Sequence, residues 1–161
     1  MTIDKKYIDL FHNVSVNAAF AAYHLVGKKD KIAADKAAVD SMRNNLNNIN
    51  MNGQIVIGEG ELDKAPMLYI GEKLGTGSGP DLDIAVDPLE GTNFAANNLP
   101  GALSVIAVAE KKNLFNAPET YMDKIAISSP DKGVVDLNNS VTKNIKNLAE
   151  HKNTIPEKLT A

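Results

Sequence analysis

Five acidic residues fall in two short segments, Ile57-Gly58-Glu59-Gly60-Glu61-Leu62-Asp63 and Asp87-Pro88-Leu89-Glu90-Gly91-Thr92. Each segment follows a short apolar, β-branched run. Strand ends are where α/β proteins collect functional side chains. Hard divalent cations take oxygen ligands, and Mg²⁺ is usually held by a few carboxylates together with water and substrate phosphate. A second ion a few ångströms away can activate a water or stabilise a leaving oxygen. Clustered carboxylates with glycines beside them therefore suggest Mg²⁺ or Mn²⁺ held for phosphate chemistry.

The second segment has the more explicit logic. Pro88 sets φ and removes a donor, so the strand is expected to end there, with Asp87 pointing out of the sheet. Leu89 packs inward in this reading and leaves its carbonyl as a further oxygen ligand. Gly91 permits a backbone conformation that a side chain would hinder, and leaves amides free for phosphate oxygens. Thr92 offers a hydroxyl able to orient an attacking water. The opposing reading is that Asp-Pro and Gly-rich turns are ordinary punctuation on a solvated surface. Two acidic turns after two strands, with Asp35 near a helix start, favour a site.

These segments must be positioned by elements that the hydrophobic pattern delimits. Residues from about 3 to 26 read as a helix, with Ile8, Phe11, Ala18, Ala22 and Leu25 at near-helical spacings. A second helix spans about 33 to 49, with Ala38, Met42, Leu46 and Ile49 on one stripe. Asp35 is expected in its first turn, where the macrodipole favours a carboxylate. Strands are expected at 53–57, 82–86 and 103–109, the last mostly apolar and so expected to be central. Residues 125–127 form a further strand candidate and 134–135 an edge piece. A helix is expected over 140–151. The order of elements predicts one layered α/β (α+β) domain over residues 1–161.

Composition narrows the function classes. The 161 residues carry 17 Lys and Arg against 20 Asp and Glu, a formal charge of −3, which argues against nucleic-acid binding and membrane adhesion. There is no Cys, so thiol catalysis and zinc–thiolate sites are excluded. No apolar run approaches the length of about 20 residues that a spanning helix needs, and a cytoplasmic location is expected. Arg43 is the single arginine. A bidentate guanidinium grip on phosphate must come from Arg43 or from outside this chain.

The segment Asp-Pro-Leu-Glu-Gly-Thr is similar to the Asp-Pro-Ile/Leu-Asp/Glu-Gly-Thr motif of lithium-sensitive, metal-dependent sugar and inositol phosphatases. Residues 30–39 (Asp-Lys-Ile-Ala-Ala-Asp-Lys-Ala-Ala-Val), 55–73 (Ile-Val-Ile-Gly-Glu-Gly-Glu-Leu-Asp-Lys-Ala-Pro-Met-Leu-Tyr-Ile-Gly-Glu-Lys) and 116–124 (Asn-Ala-Pro-Glu-Thr-Tyr-Met-Asp-Lys) resemble class II fructose-1,6-bisphosphatases, in the right order and spacing. The resemblance implies the N-terminal portion of an α-β-α sandwich. It implies hydrolysis of the 1-phosphate of fructose 1,6-bisphosphate, in gluconeogenesis, in a homo-oligomer. Carried over by position, Asp35 and Glu59 would bind one Mg²⁺ or Mn²⁺, and Asp87 and Glu90 the second. Glu90, Gly91 and Thr92 would face the substrate, Thr92 would help activate the water with Asp63 as base or proton partner, and Tyr121 would touch the substrate.

The family's pattern continues for about as many residues again. The chain is therefore expected to be an N-terminal half, with further substrate contacts and a further glutamate ligand in the other half. Two rivals stand beside the leading reading. One is a related phosphatase acting on sedoheptulose bisphosphate or an inositol phosphate. The other is a catalytically inactive remnant that binds metal or associates with an intact subunit. His12, His24 and His151 lie away from the motifs and read as structural or surface residues. The Met42, Met67 and Met122 thioethers suit packing rather than hard metals. Lys28, Lys29 and Lys31 read as a solvated loop.

Overall fold

The computed structural model describes residues 3–58, 67–115 and 122–160. Glu59, Asp63 and Tyr121, all expected in the site, lie outside the described residues. The chain divides into two compact units, residues 1–117 and 118–161.

The first unit begins with two packed helices, α1 (Lys6–Tyr23) and α2 (Lys31–Asn47). The buried stripe of α1 is Tyr7, Phe11, Val14, Ala18 and Ala22. Ile8, expected on that stripe, is exposed, and Tyr7 takes its place with its hydroxyl donating to the Asn50 carbonyl at 2.8 Å. The α2 stripe of Ala38, Met42, Leu46 and Ile49 is buried as expected. The small residues Ala18, Ala22, Ala34 and Ala38 let the two backbones approach, and the larger Met42 and Leu46 fill the layer above the sheet. Each of these large side chains contributes about 1.5–3 kcal/mol by leaving water.

The helix start corrects one expectation. Asp30 caps α2, its Oδ1 accepting from the Ala33 N–H at 2.9 Å. The helix therefore begins at Lys31, and Asp35 lies past its first turn, where the macrodipole has faded.

Below the helices lies a four-stranded mixed sheet of β1 (Asn52–Ile57), β2 (Lys73–Leu74), β3 (Asp81–Glu90) and β4 (Leu103–Glu110), in the order β2-β1-β3-β4. Strands β1 and β3 are parallel, and the outer pairs are antiparallel. Ile55, Leu82, Ile84 and Val86 face the helices and complete the core. This is a layered α/β fold. Among the described residues β4 is an edge strand rather than a central one, pairing only with β3. Its apolar run reflects packing under α1 on one face, while Leu103 and Val105 on the other are 60% and 44% exposed.

Strand β3 also runs further than expected. Pro88 does not end it, because the β3–β4 register shifts between Asp87 and Glu90 and resumes at Glu90 opposite Leu103. A bulge accommodates the missing proline donor without terminating the strand.

In the second unit, α4 (Val141–His151) is capped by Ser140, whose Oγ accepts from the Lys143 N–H at 3.2 Å. Residues 125–127 and 134–135 form no strand. Asp131 lies at the C-terminal end of α4, paired with Lys152 Nζ at 2.7 Å and accepting from the Ser128 hydroxyl.

Candidate active site

Three of the expected metal ligands lie within the described residues: Asp35 on α2, and Asp87 and Glu90 at the end of β3. The bulge at Pro88 and Leu89 lies between Asp87 and Glu90, and the Glu90 carboxyl bears on Asp87 through a side-chain hydrogen bond and its charge. Pro88 and Leu89 are themselves buried, and they anchor the bulge from within. Leu89 does pack inward, as the sequence suggested. Its N–H donates to Asp87 Oδ1 at 3.2 Å.

The electrostatics of this corner are unfavourable to negative charge. The Asp87 carboxyl is pushed from 3.8 up to about 6, chiefly by loss of solvent, then by the hydrogen bond and charge of Glu90, with the Asp35 charge adding to it. The Leu89 amide opposes that rise. Burial also raises Asp35, whose Oδ1 is inaccessible to solvent and has no hydrogen-bond partner. Proteins rarely leave such an oxygen without a donor. Carboxylates crowded together, one with an orphaned oxygen, form an environment that a hard cation relieves. The donor set fits Mg²⁺ or Mn²⁺. Among the described residues no three His, Asp or Glu side chains stand as a complete ligand set for one ion.

Gly91 follows Glu90 at φ 78° and ψ 45°, the left-handed region, and is the N-cap of the short helix α3 (Thr92–Ala96). A Cβ there would be strained by φ and would approach Phe94 Cδ2 at 2.9 Å. This glycine therefore makes the sharp turn from strand to helix that puts Thr92 directly after the two carboxylates. Thr92 is partly buried.

Neighbouring elements fasten the corner. The loop between α1 and α2 is bonded to the far end of α3, with the Gly27 N–H donating to the Ala95 carbonyl at 3.0 Å and Lys29 N–H to Ala96 at 2.8 Å. Lys29 adopts φ 60° to do so. Sequence reading treated this lysine run as loop alone. A left-handed Lys carries no sequence signal, since only the contact with α3 requires it. His12 and His24 lie on and just past α1 and are exposed. A cavity of about 680 Å³ lies at the opposite end of β3, lined by Ile3, Tyr7, Pro80, Leu82 and Lys111, and includes none of the expected site residues.

Arg43 was the one arginine available for a phosphate. Its Nε instead donates to Glu72 Oε1 at 2.7 Å, and its Nη2 to Glu72 Oε2 at 3.2 Å and to the Met67 carbonyl at 2.5 Å. Nothing in the local sequence around Glu72 signals this pairing, because the partners are 29 residues apart.

Comparison with known proteins identifies the family. A D-fructose 1,6-bisphosphatase class 2/sedoheptulose 1,7-bisphosphatase of Synechococcus sp. (strain CC9902) is 49% identical over 158 residues, covering 98% of this chain and 47% of that protein. One of the same name from Prochlorococcus marinus (strain MIT 9303) is 50% identical over 148 residues, covering 92% of this chain and 44% of the relative. The fructose-1,6-bisphosphatase 1 class 2 of Escherichia coli (strain K12) is 51% identical over 139 residues, covering 86% and 41%. The chain thus spans about half the length of the curated relatives it matches. Residues 6–161 match the family described as "Bacterial fructose-1,6-bisphosphatase, glpX-encoded", and the chain belongs to that family.

Proposed function

We propose that this chain carries most of the metal-binding half of a phosphatase that hydrolyses the 1-phosphate of fructose 1,6-bisphosphate to give fructose 6-phosphate. The observation that carries the reading is the buried, unpartnered carboxylate oxygen of Asp35, with Asp87 and Glu90 flanking the β3 bulge and the Glu90 and Asp35 charges both bearing on Asp87. Asp87 and Glu90 would hold one divalent cation, and Asp35 with Glu59 the other. When bound, Mg²⁺ or Mn²⁺ polarises the phosphoryl group and makes water a competent nucleophile at neutral pH. The Thr92 hydroxyl orients that water, and Asp63 takes its proton. Gly91 and Glu90 border the sugar phosphate, and Tyr121 contacts it. No described helix is long and apolar enough to cross a membrane. A cytoplasmic homo-oligomer acting on a small sugar bisphosphate, with neither nucleic acid nor membrane as partner, agrees with this chemistry.

The relatives' names include sedoheptulose 1,7-bisphosphatase, so the seven-carbon bisphosphate is the second substrate to test. A different reading is a remnant that binds metal without turnover. Phosphate release from both bisphosphates with Mn²⁺, with Asp87→Asn as control, separates these readings. Turnover lost in the variant sinks the remnant. Folded protein that binds Mn²⁺ without turnover sinks the active enzyme.

A further inference from the structure

Arg43 lies on α2, eight residues beyond Asp35, or about 12 Å further along the axis at the helical rise of about 1.5 Å per residue. Its guanidinium grips both oxygens of Glu72 and the Met67 carbonyl at once. Glu72 is only 8% exposed, so this is a largely desolvated pair with a directed geometry rather than a surface contact. The segment it holds is joined in turn to β1. The Ile55 N–H donates to the Glu72 carbonyl at 2.9 Å, and the Gly71 N–H donates to the Ile55 carbonyl at 2.8 Å.

The same segment meets the exit of β1. A Cβ on Gly58 would collide with the Leu68 carbonyl oxygen and come within 2.7 Å of Ile55 Cγ2, and Leu68 is itself fully buried. The backbone just after β1 and the backbone returning toward β2 therefore press on each other, and Arg43 bolts the second of them to α2. One side chain joins the helix that carries Asp35 to the exit of β1, after which the first acidic segment follows in sequence.

We propose that Arg43 is a positioning residue of the metal site, holding α2 and Asp35 at a set position relative to the end of β1 through Glu72 and the Met67 carbonyl. It acts through these groups and does not itself touch substrate. The proposal rests on the metal-site reading above. Groups hydrogen-bonded directly to metal ligands typically change metal affinity by about 10–100-fold when removed, and Arg43, acting through the helix, belongs at the low end of that range.

The test is Mn²⁺ affinity, read from the electron paramagnetic resonance signal of free Mn²⁺ against the whole chain, beside the metal-free melting temperature. The informative variant is the double Arg43→Met, Glu72→Leu. Replacing both members of a buried ion pair with apolar groups tends to preserve stability, but it releases the Met67 carbonyl. Its melting temperature should hold while Mn²⁺ binding weakens about tenfold or more. Arg43→Lys keeps the charge but loses the fork and should fall between the double variant and wild type. It decides the matter if the double variant does not fold. Val14→Ala, a cavity in α1 away from the site, should lower the melting temperature and leave the affinity unchanged. Unchanged Mn²⁺ affinity in the Arg43 variants, or an equal loss in Val14→Ala, overturns the role given to Arg43. Wild-type chain that binds no Mn²⁺ in a manner sensitive to Asp87→Asn overturns the metal reading and this one with it.

Discussion

Asp87 concentrates the tension of the site in one carboxyl. Its folded pKa stands at about 6 against an ordinary 3.8, so its protonated form is the one the fold prefers. That contribution is complete below about pH 4 and is lost as pH rises through about 6. Metal-free protein should therefore lose stability across that window through this group. The full shift converts at about 1.4 kcal/mol per unit. A half-exposed carboxyl is screened, which reduces the expected effect to about 1 kcal/mol. Asp87→Asn should raise the metal-free melting temperature at pH 7 and flatten its pH dependence, while abolishing stabilisation by Mn²⁺. A variant no more stable than wild type at neutral pH would contradict the assigned crowding. Gly91→Ala should cost about 1–2 kcal/mol from the left-handed φ alone and weaken Mn²⁺ binding by displacing Glu90, measurable in the same melts. Asp87, Glu90 and Gly91 could be recognised in the sequence because their relation is local. The orphaned oxygen of Asp35 could not, since burial without a partner is decided by tertiary packing.

At the scale of elements, the helices could be read from their periodicity, but their ends depended on caps. Asp30, rather than a residue nearer Asp35, caps α2 and sets the phase of the whole helix. Asp30→Ala should cost about 1 kcal/mol, the usual value of an N-cap. It should also speed amide hydrogen exchange in the first turn of α2, while that of α1 stays unchanged. Equal protection in both proteins would show that packing on α3, not the cap, holds the turn. The β3 strand teaches the complementary lesson. Pro88 carries a stop signal that the sheet overrides, because a bulge lets the strand continue to Glu90. Local preference marked the irregularity but not its form. The two false strands near 125 and 134 failed for a similar reason: short β-branched runs make strands only where a partner edge is available.

At the largest scale, the edge of the first unit's sheet matters most. The sheet of the first unit has its helices on one face. On the other, β4 presents Leu103 and Val105 beside a strand edge with no partner among the described residues. Long apolar edges of this kind promote pairing between chains. Val105→Lys should reduce concentration-dependent self-association in sedimentation velocity without lowering the melting temperature. An unchanged sedimentation profile would argue that this edge is not the route of association.

The sequence by itself determined which residues can ligate a hard cation, the periodicity of the helices, and the family, because side-chain chemistry and short spacings are local properties carried along the chain. Only the tertiary structure decided that the Glu90 and Asp35 charges bear on a desolvated Asp87, that Arg43 is committed to Glu72 rather than to a phosphate, and that among the described residues β4 pairs only with β3. Each of these depends on groups distant in sequence meeting where water is excluded, and it is there that charge, hydrogen-bond supply and strand pairing are settled.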